Sequence, residues 1–153
     1  MIRFICTLLL AASAALFHGM GEAQTRDAQT RDLMTGSVYR AFGEKAGIAA
    51  LMEVFVERLA VDARTQVFFS NADKPRLKEQ LTEQLCMLSG GPCRYTGAQM
   101  RGVHRGLEIG RGDFNATVEV LQDCMDERGI AFGAQNGMLA LLAPMHREIV
   151  TRD

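Results

Sequence analysis

The chain has 153 residues, 48% of them hydrophobic, which is enough to bury one core of ordinary domain size. Its 17 basic and 18 acidic side chains are mixed along the sequence and leave a formal net charge of -1, which excludes the basic field that a polyanion such as nucleic acid would need. Tryptophan is absent and proline stands only at Pro75, Pro92 and Pro144, so long stretches are free to run as helix and an all-α domain is expected.

Met1-Ile2-Arg3 gives a short positive start, and Phe4 to Phe17 is an apolar run without charge, the pattern of a secretory signal. The run is shorter than the roughly 20 residues needed to span a bilayer. It leads to Gly21-Glu22-Ala23, where cleavage before Gln24 would yield an exported chain, periplasmic or secreted; a retained signal anchor is the alternative. Residues 24 to 36 then carry most of a tandem repeat, Ala23-Gln24-Thr25-Arg26-Asp27 and Ala28-Gln29-Thr30-Arg31-Asp32, with almost nothing to bury, which reads as a disordered leader. The expected organisation is a signal at 1–23, a leader at 24–36 and a folded domain at 37–151.

Four main helices are expected in that domain. Ile48, Leu51, Phe55 and Leu59 recur at spacings of three and four between Lys45 and Ala60, with Val56 at the edge of the stripe. A short irregular segment, Asp62 to Ser70, carries Phe68-Phe69. Asp73 can cap the next helix and Pro75 fits its first turn, with Leu77, Leu81, Leu85 and Leu88 on one face and an end at Gly90-Gly91. From Pro92 to Gly112 glycines break any sustained period, and one turn of helix fits around Met100 to Arg105. Phe114, Val118, Leu121 and Met125 mark a third helix over Asp113 to Glu127. A fourth, Ala134 to Thr151, turns Met138, Leu141, Leu142, Met145 and Ile149 inward and should bend at Pro144. A twenty-residue irregular stretch inside a small helical domain is uncommon, and a bound cofactor would give it a partner.

Cysteines outside the cytoplasm tend to oxidise in pairs. Cys86 and Cys93 flank the Gly90-Gly91-Pro92 turn, and a reversal there can bring them within bonding range, so a local disulfide is expected, worth about 2 kcal/mol at most. Cys124 reads as a small buried hydrophobe.

His104 lies in the irregular stretch among Met100, Val103, Leu107 and Ile109, whereas His146 sits beside Arg147 and Glu148. A neutral imidazole in an apolar setting can ligate haem iron, or can equally be a hydrogen-bonded core residue. No pair of histidines at helical spacing, no metal-type Cys-x-x-Cys and no phosphate loop is visible, which argues against zinc and nucleotide sites.

The run Tyr95-Thr96-Gly97-Ala98-Gln99-Met100-Arg101-Gly102-Val103-His104-Arg105-Gly106-Leu107-Glu108-Ile109, followed by Asp113-Phe114, resembles the proximal segment of group I truncated haemoglobins. Val38-Tyr39, Phe42-Gly43, Phe55, Arg58 with Asp62, Phe68-Phe69, Leu77, Gly90-Gly91-Pro92 and Leu142-Ala143-Pro144 fall into register with the same family, over about residues 37 to 150. The resemblance implies a two-over-two helical sandwich around non-covalent haem b, with His104 as the iron ligand and Phe69 flat on the porphyrin; of Phe68 and Phe69, one serves the core. It implies pocket-wall roles for Met100, Val103, Ile109, Phe114, Leu141 and Leu142, and a propionate contact for Tyr95, which could equally be a surface residue, as could Lys74 and Arg101. On the distal side Phe55 matches the family's helix phenylalanine, Val56 and Leu81 stand where tyrosine and glutamine are frequent in the family, and Leu77 fills the position that carries the distal histidine in ordinary globins. Gln80, Gln84 and Thr117 are left as candidate donors.

The function so implied is binding of a diatomic ligand, oxygen or nitric oxide, with fast oxygen loss. Two alternatives remain: a haem redox enzyme such as a nitric oxide dioxygenase, which would need an electron donor, and a cofactor-free helical adaptor.

Overall fold

The computed structural model describes residues 36–152, so the expected signal, its cleavage point and most of the leader lie outside the described residues. Helical structure begins at once: α1 covers residues 36–41 and a tight turn at Phe42-Gly43 leads into α2, Glu44–Leu59. The turn is tightly closed, because a Cβ on Gly47 would stand 1.9 Å from the Phe42 carbonyl oxygen. Only glycine lets the first turn of α2 pass so near the preceding chain.

The short α3 at Gln66–Phe69 follows, and then the long α4 at Lys74–Leu88. The segment expected to be irregular therefore contains one turn of helix, too short to show a period. Asp73 caps α4 as expected, accepting from the Arg76 amide at 3.2 Å, with Pro75 in the first turn. After the glycine turn the chain lacks regular structure until α5, Met100–Val103.

α6 spans Arg111–Glu127, two residues longer at its start than the apolar pattern indicates. Gly110 is its N-cap, and Asp113, one turn in, reaches back to accept from the Gly110 amide at 2.9 Å. α7 covers Phe132–Leu142 and also begins two residues early, through a first turn whose exposed Phe132 has no inward partner to reveal it. The bend at Pro144 takes the form of a 3-10 turn, Ala143–Met145, from which α8 continues over His146–Ile149.

α2 packs on α4 and on α6, and α6 packs on α7, giving two layers of two helices without a strand among the described residues. Ile48, Leu51 and Met52 from α2, Cys86 from α4, Cys124 and Met125 from α6 and Met138 from α7 meet in the centre with no solvent contact. Cys124 is a free thiol whose pKa burial pushes up, in keeping with a purely apolar role. No described helix is long and apolar enough to cross a membrane.

The chain returns to close on itself at its far end. The amides of Thr151 and Arg152 both donate to the Ile109 carbonyl, at 2.9 and 3.1 Å, and the Arg152 guanidinium lies 3.4 Å from the Asp113 carboxylate. At the opposite corner Arg64 donates to both oxygens of Asp62, and its backbone amide adds a bond at 2.8 Å. The Arg64 side chain, followed by this amide, holds the Asp62 carboxyl down from its usual range to about 2.

Two outcomes test this architecture. Gly47→Ala should lower the unfolding free energy by about 2 kcal/mol in urea titration, since backbone must move to admit the methyl group. Asp62 has a folded pKa below its unfolded one, so its stabilising effect is complete above about 4 and is lost as pH falls towards about 2. Asp62→Asn should flatten the acid limb of the stability curve in that window and be less stable than the parent chain near neutral pH.

Candidate functional site

Between the helical layers and the irregular stretch lies a cavity of about 680 Å³, within the range of about 300 to 1,000 Å³ typical of small-molecule and cofactor sites. Its wall is built from four sources. α2 supplies Met52, Phe55 and Leu59; the α3 to α4 region supplies Phe68, Phe69, Arg76, Leu77, Gln80, Leu81, Gln84 and Leu85. The loop and α5 supply Tyr95 to Ala98, Met100, Val103, His104 and Leu107, and the remaining face comes from Ile109, Asp113, Phe114, Thr117, Val118, Leu121, Leu142, Met145 and Ile149.

The leucines of α4 show why the cavity matters to the fold. Leu77, Leu81 and Leu88 keep helical spacing yet stay only half-buried, while Leu85 alone of the four is sealed. Leu77 and Leu81 face the cavity, so their apolar surface is arranged around a space and not against another helix.

His104 is the one imidazole in the wall, and its orientation is fixed. Its Nδ1 lies 2.8 Å from the Met100 carbonyl oxygen, one helical turn back. A carbonyl can only accept, so Nδ1 carries the proton and the neutral ring keeps its lone pair on Nε2. His146 differs: it meets Phe114 edge to face at 4.9 Å and is absent from the wall.

Polar groups are few, and most are engaged. The Tyr95 hydroxyl donates to the Ala98 carbonyl at 2.9 Å, and burial pushes the phenol pKa up. Thr117 donates to the Asp113 carbonyl at 3.0 Å, which uses its proton within α6. Gln84 is nearly buried, and its amide nitrogen finds only thioethers, Met145 at 3.5 Å and Met100 at 3.7 Å. Gln80 is less satisfied still: its Oε1 is buried without a hydrogen-bond partner. It presses against the bare backbone of Gly97, where a Cβ would stand 2.2 Å from Oε1 and 2.4 Å from the Tyr95 hydroxyl.

Of the sequence-derived residues, His104, Phe68, Phe69, Leu77, Met100, Val103, Ile109, Phe114, Tyr95, Leu142, Phe55, Leu81, Thr117 and Gln80 are gathered in this wall. Val56 and Leu141 are not. Val56 follows Phe55 by about 100° around the helix, which turns it away into fully buried surroundings, and Leu141 packs on the central core. Lys74 pairs with Glu57 of α2 at 2.7 Å, and Arg101 is exposed; neither lines the cavity, where the cation is Arg76. Arg76 carries no sequence signal beyond lying next to Leu77, whereas Met145 and Ile149 continue the stripe that holds Leu142.

The arrangement fits a flat apolar macrocycle with a polar edge. It offers one lone-pair nitrogen in an apolar wall, aromatic side chains nearby, and Arg76, Tyr95 and an unpaired amide oxygen at the α4 and loop margin. It does not fit a caged metal ion, since no group of three His, Cys, Asp or Glu side chains converges among the described residues.

Comparison with known proteins points the same way. The family described as bacterial-like globin matches residues 37–151. The group 1 truncated hemoglobin GlbN of Mycolicibacterium paratuberculosis is 30% identical over 126 residues, covering 82% of this chain and 93% of the relative. The group 1 truncated hemoglobin of Tetrahymena pyriformis is 31% identical over 94 residues, 61% of this chain and 78% of its own. The crystal structure of that Tetrahymena pyriformis protein in its Fe(III) form superposes with a TM-score of 0.72 at 26% identity, covering 75% of this chain and 98% of that one.

Gln80→Leu removes a buried carbonyl that has no partner while keeping similar volume, so the cofactor-free protein should unfold at the same or a higher denaturant concentration. A clear loss of stability would show that the amide is paired after all.

Proposed function

The chain belongs to the bacterial-like globin family and is a truncated globin, a haem protein that binds diatomic ligands, and from that premise we propose how its own residues carry out the task. His104 Nε2 holds the iron of a non-covalently bound haem b, and the chain is an exported member of group 1. Haem, when present, supplies the metal at which oxygen or nitric oxide is retained.

The single observation that carries the assignment is the bond from His104 Nδ1 to the Met100 carbonyl. It fixes the tautomer, holds the ring plane and raises the basicity of the nitrogen left free. Phe69 and Phe114 supply flat apolar surface in the same wall, and Arg76 with Tyr95 stands at the margin suited to carboxylate side chains. The sequence carries no Cys-x-x-Cys-His, which supports the non-covalent mode.

The opposite face of the cavity favours quick release of oxygen. Phe55, Leu77 and Leu81 bear no donor, Thr117 spends its proton on α6, and Gln84 is turned to sulfur. A hydrogen bond to a bound diatomic ligand inside a dry pocket contributes about 1 to 3 kcal/mol, and of the candidate donors only Gln80, packed against Gly97 of the loop, is left to supply it. Reversible binding is therefore favoured over turnover, for which general acid or base groups are also lacking: Asp113 is engaged by Gly110 and Arg152. The apolar amino-terminal run and its small-residue cleavage site support export, and the Cys86–Cys93 disulfide suits an oxidising compartment.

Reconstitution with haem should give a Soret band that His104→Ala abolishes or strongly shifts, with circular dichroism confirming that the variant is folded. An unchanged band would remove His104 from the iron. Leu81→Gln, which places an amide on the cavity wall one position along from Gln80, should slow oxygen dissociation by about tenfold in stopped-flow measurements. The same rate as the parent chain would mean that a donor already acts there.

A further inference from the structure

The segment between α4 and α5 contributes Tyr95, Thr96, Gly97 and Ala98 to the cavity wall, yet it has little to hold it. Residues 92–98 form no helix, and none of them takes part in a backbone-to-backbone hydrogen bond among the described residues. The Tyr95 hydroxyl bond to Ala98 is internal to the segment. The turn before it is anchored by the Gly91 amide, which donates to the Cys86 carbonyl at 2.8 Å. Past that point, among the described residues, the one tie to the rest of the fold beyond packing is covalent: Cys93 is disulfide-bonded to Cys86, in the last turn of α4.

The two ends of this bond differ in setting. Cys86 has no solvent contact and belongs to the central core, whereas Cys93 is only half-buried, at the edge of that core. Cys93 is therefore the end of the bond nearer to a reagent in solution. Cys93 is also four residues from Gly97, where the loop closes on Gln80 of α4, and two from Tyr95, which packs beside Gly97.

We propose that the Cys86–Cys93 disulfide is a thiol-exchangeable latch on the cavity: oxidised, it holds the 93–98 segment against α4 and retains haem, and reduced by a dithiol it lets that wall open so that haem can pass. This rests on the reading of the cavity as the haem site. A thiolate of the dithiol attacks Cys93 Sγ, the bond between the two protein sulfurs breaks, and Cys86 leaves as a thiolate that takes up a proton. The second thiol of the reagent then attacks the mixed disulfide, freeing Cys93 as a thiol. Two electrons have passed from the dithiol, now a cyclic disulfide, to the protein; an oxidising disulfide reverses the exchange. Reduction removes the covalent tie but leaves α2, α4, α6 and α7 packed, because none of their mutual contacts passes through Cys93.

The test uses haem-loaded protein with Cys124→Ser as background, which removes the other described thiol. Haem transfer to excess apomyoglobin is followed at the Soret band with and without dithiothreitol, and in the Cys86→Ser/Cys93→Ser double variant. Reduction and the double variant should both speed haem loss by about tenfold, the order expected when a loop constraint is removed. Limited trypsin digestion and hydrogen exchange on the cofactor-free chain give readouts independent of haem: cleavage after Arg94, within the segment, should quicken on reduction while the amides of Leu51, Met52 and Phe55 keep their protection. Equal transfer rates in the two states overturn the latch while leaving the haem site standing. Faster loss accompanied by equal exposure of the α2 amides also overturns it, since the whole fold would then have loosened. A chain that takes up no haem in either state overturns the cavity assignment and the latch together.

Discussion

One hydrogen bond orders the functional half of this molecule. The stretch from Pro92 to Gly110 is rich in glycine and poor in regular structure, and its only helical turn, α5, ends at His104. The bond from the imidazole to the Met100 carbonyl spans that turn, so the same contact that closes four residues of helix also decides which ring nitrogen carries the proton. A histidine with this constraint presents a fixed lone pair; without it, both tautomers and a range of ring angles would be open. The rest of the cavity can be loosely walled because the one atom that must be placed is placed locally.

α4 serves two masters. Its outer face is tied to α2 by Lys74 with Glu57 and by Lys78 with Glu53 and Glu57, exposed pairs of modest worth. Its inner face carries both the leucines of the cavity and two glutamines one turn apart. Elsewhere buried polar groups are well served: Thr65 donates to the Leu59 carbonyl and Ser89 to that of Leu85. Gln80 and Gln84 depart from that rule, and both do so at the cavity. Poorly paired amides cluster where a fold keeps surface for something other than itself.

Much of this could be read from the sequence alone. The stripes Ile48, Leu51, Phe55, Leu59 and Phe114, Val118, Leu121, Met125 gave the long helices, because burial against a neighbour imposes a period. Helix starts at Arg111 and Phe132 were missed because their first turns are exposed, and α3 is too short for any period to emerge. His104 and most of the wall were legible through resemblance more than through spacing. Residues that resisted reading are those whose role depends on rotation about a helix or on distant chain: Val56 turns away from its neighbour Phe55, Arg76 takes the place Lys74 was expected to fill, and Gln84 meets two methionines from far parts of the sequence. Pattern along one dimension fixes which side of a helix is apolar, but not which of two apolar neighbours meets the cavity.

The bonds that Thr151 and Arg152 make to the Ile109 carbonyl carry a consequence for proteolysis. Ile109 stands in the cavity wall five residues past the imidazole, and its carbonyl is held by amides from far along the chain, beyond α8. A protease that clips between α8 and Thr151 would release both amides while leaving the central core untouched. Trimming there would therefore slacken the receptor before it melts the body.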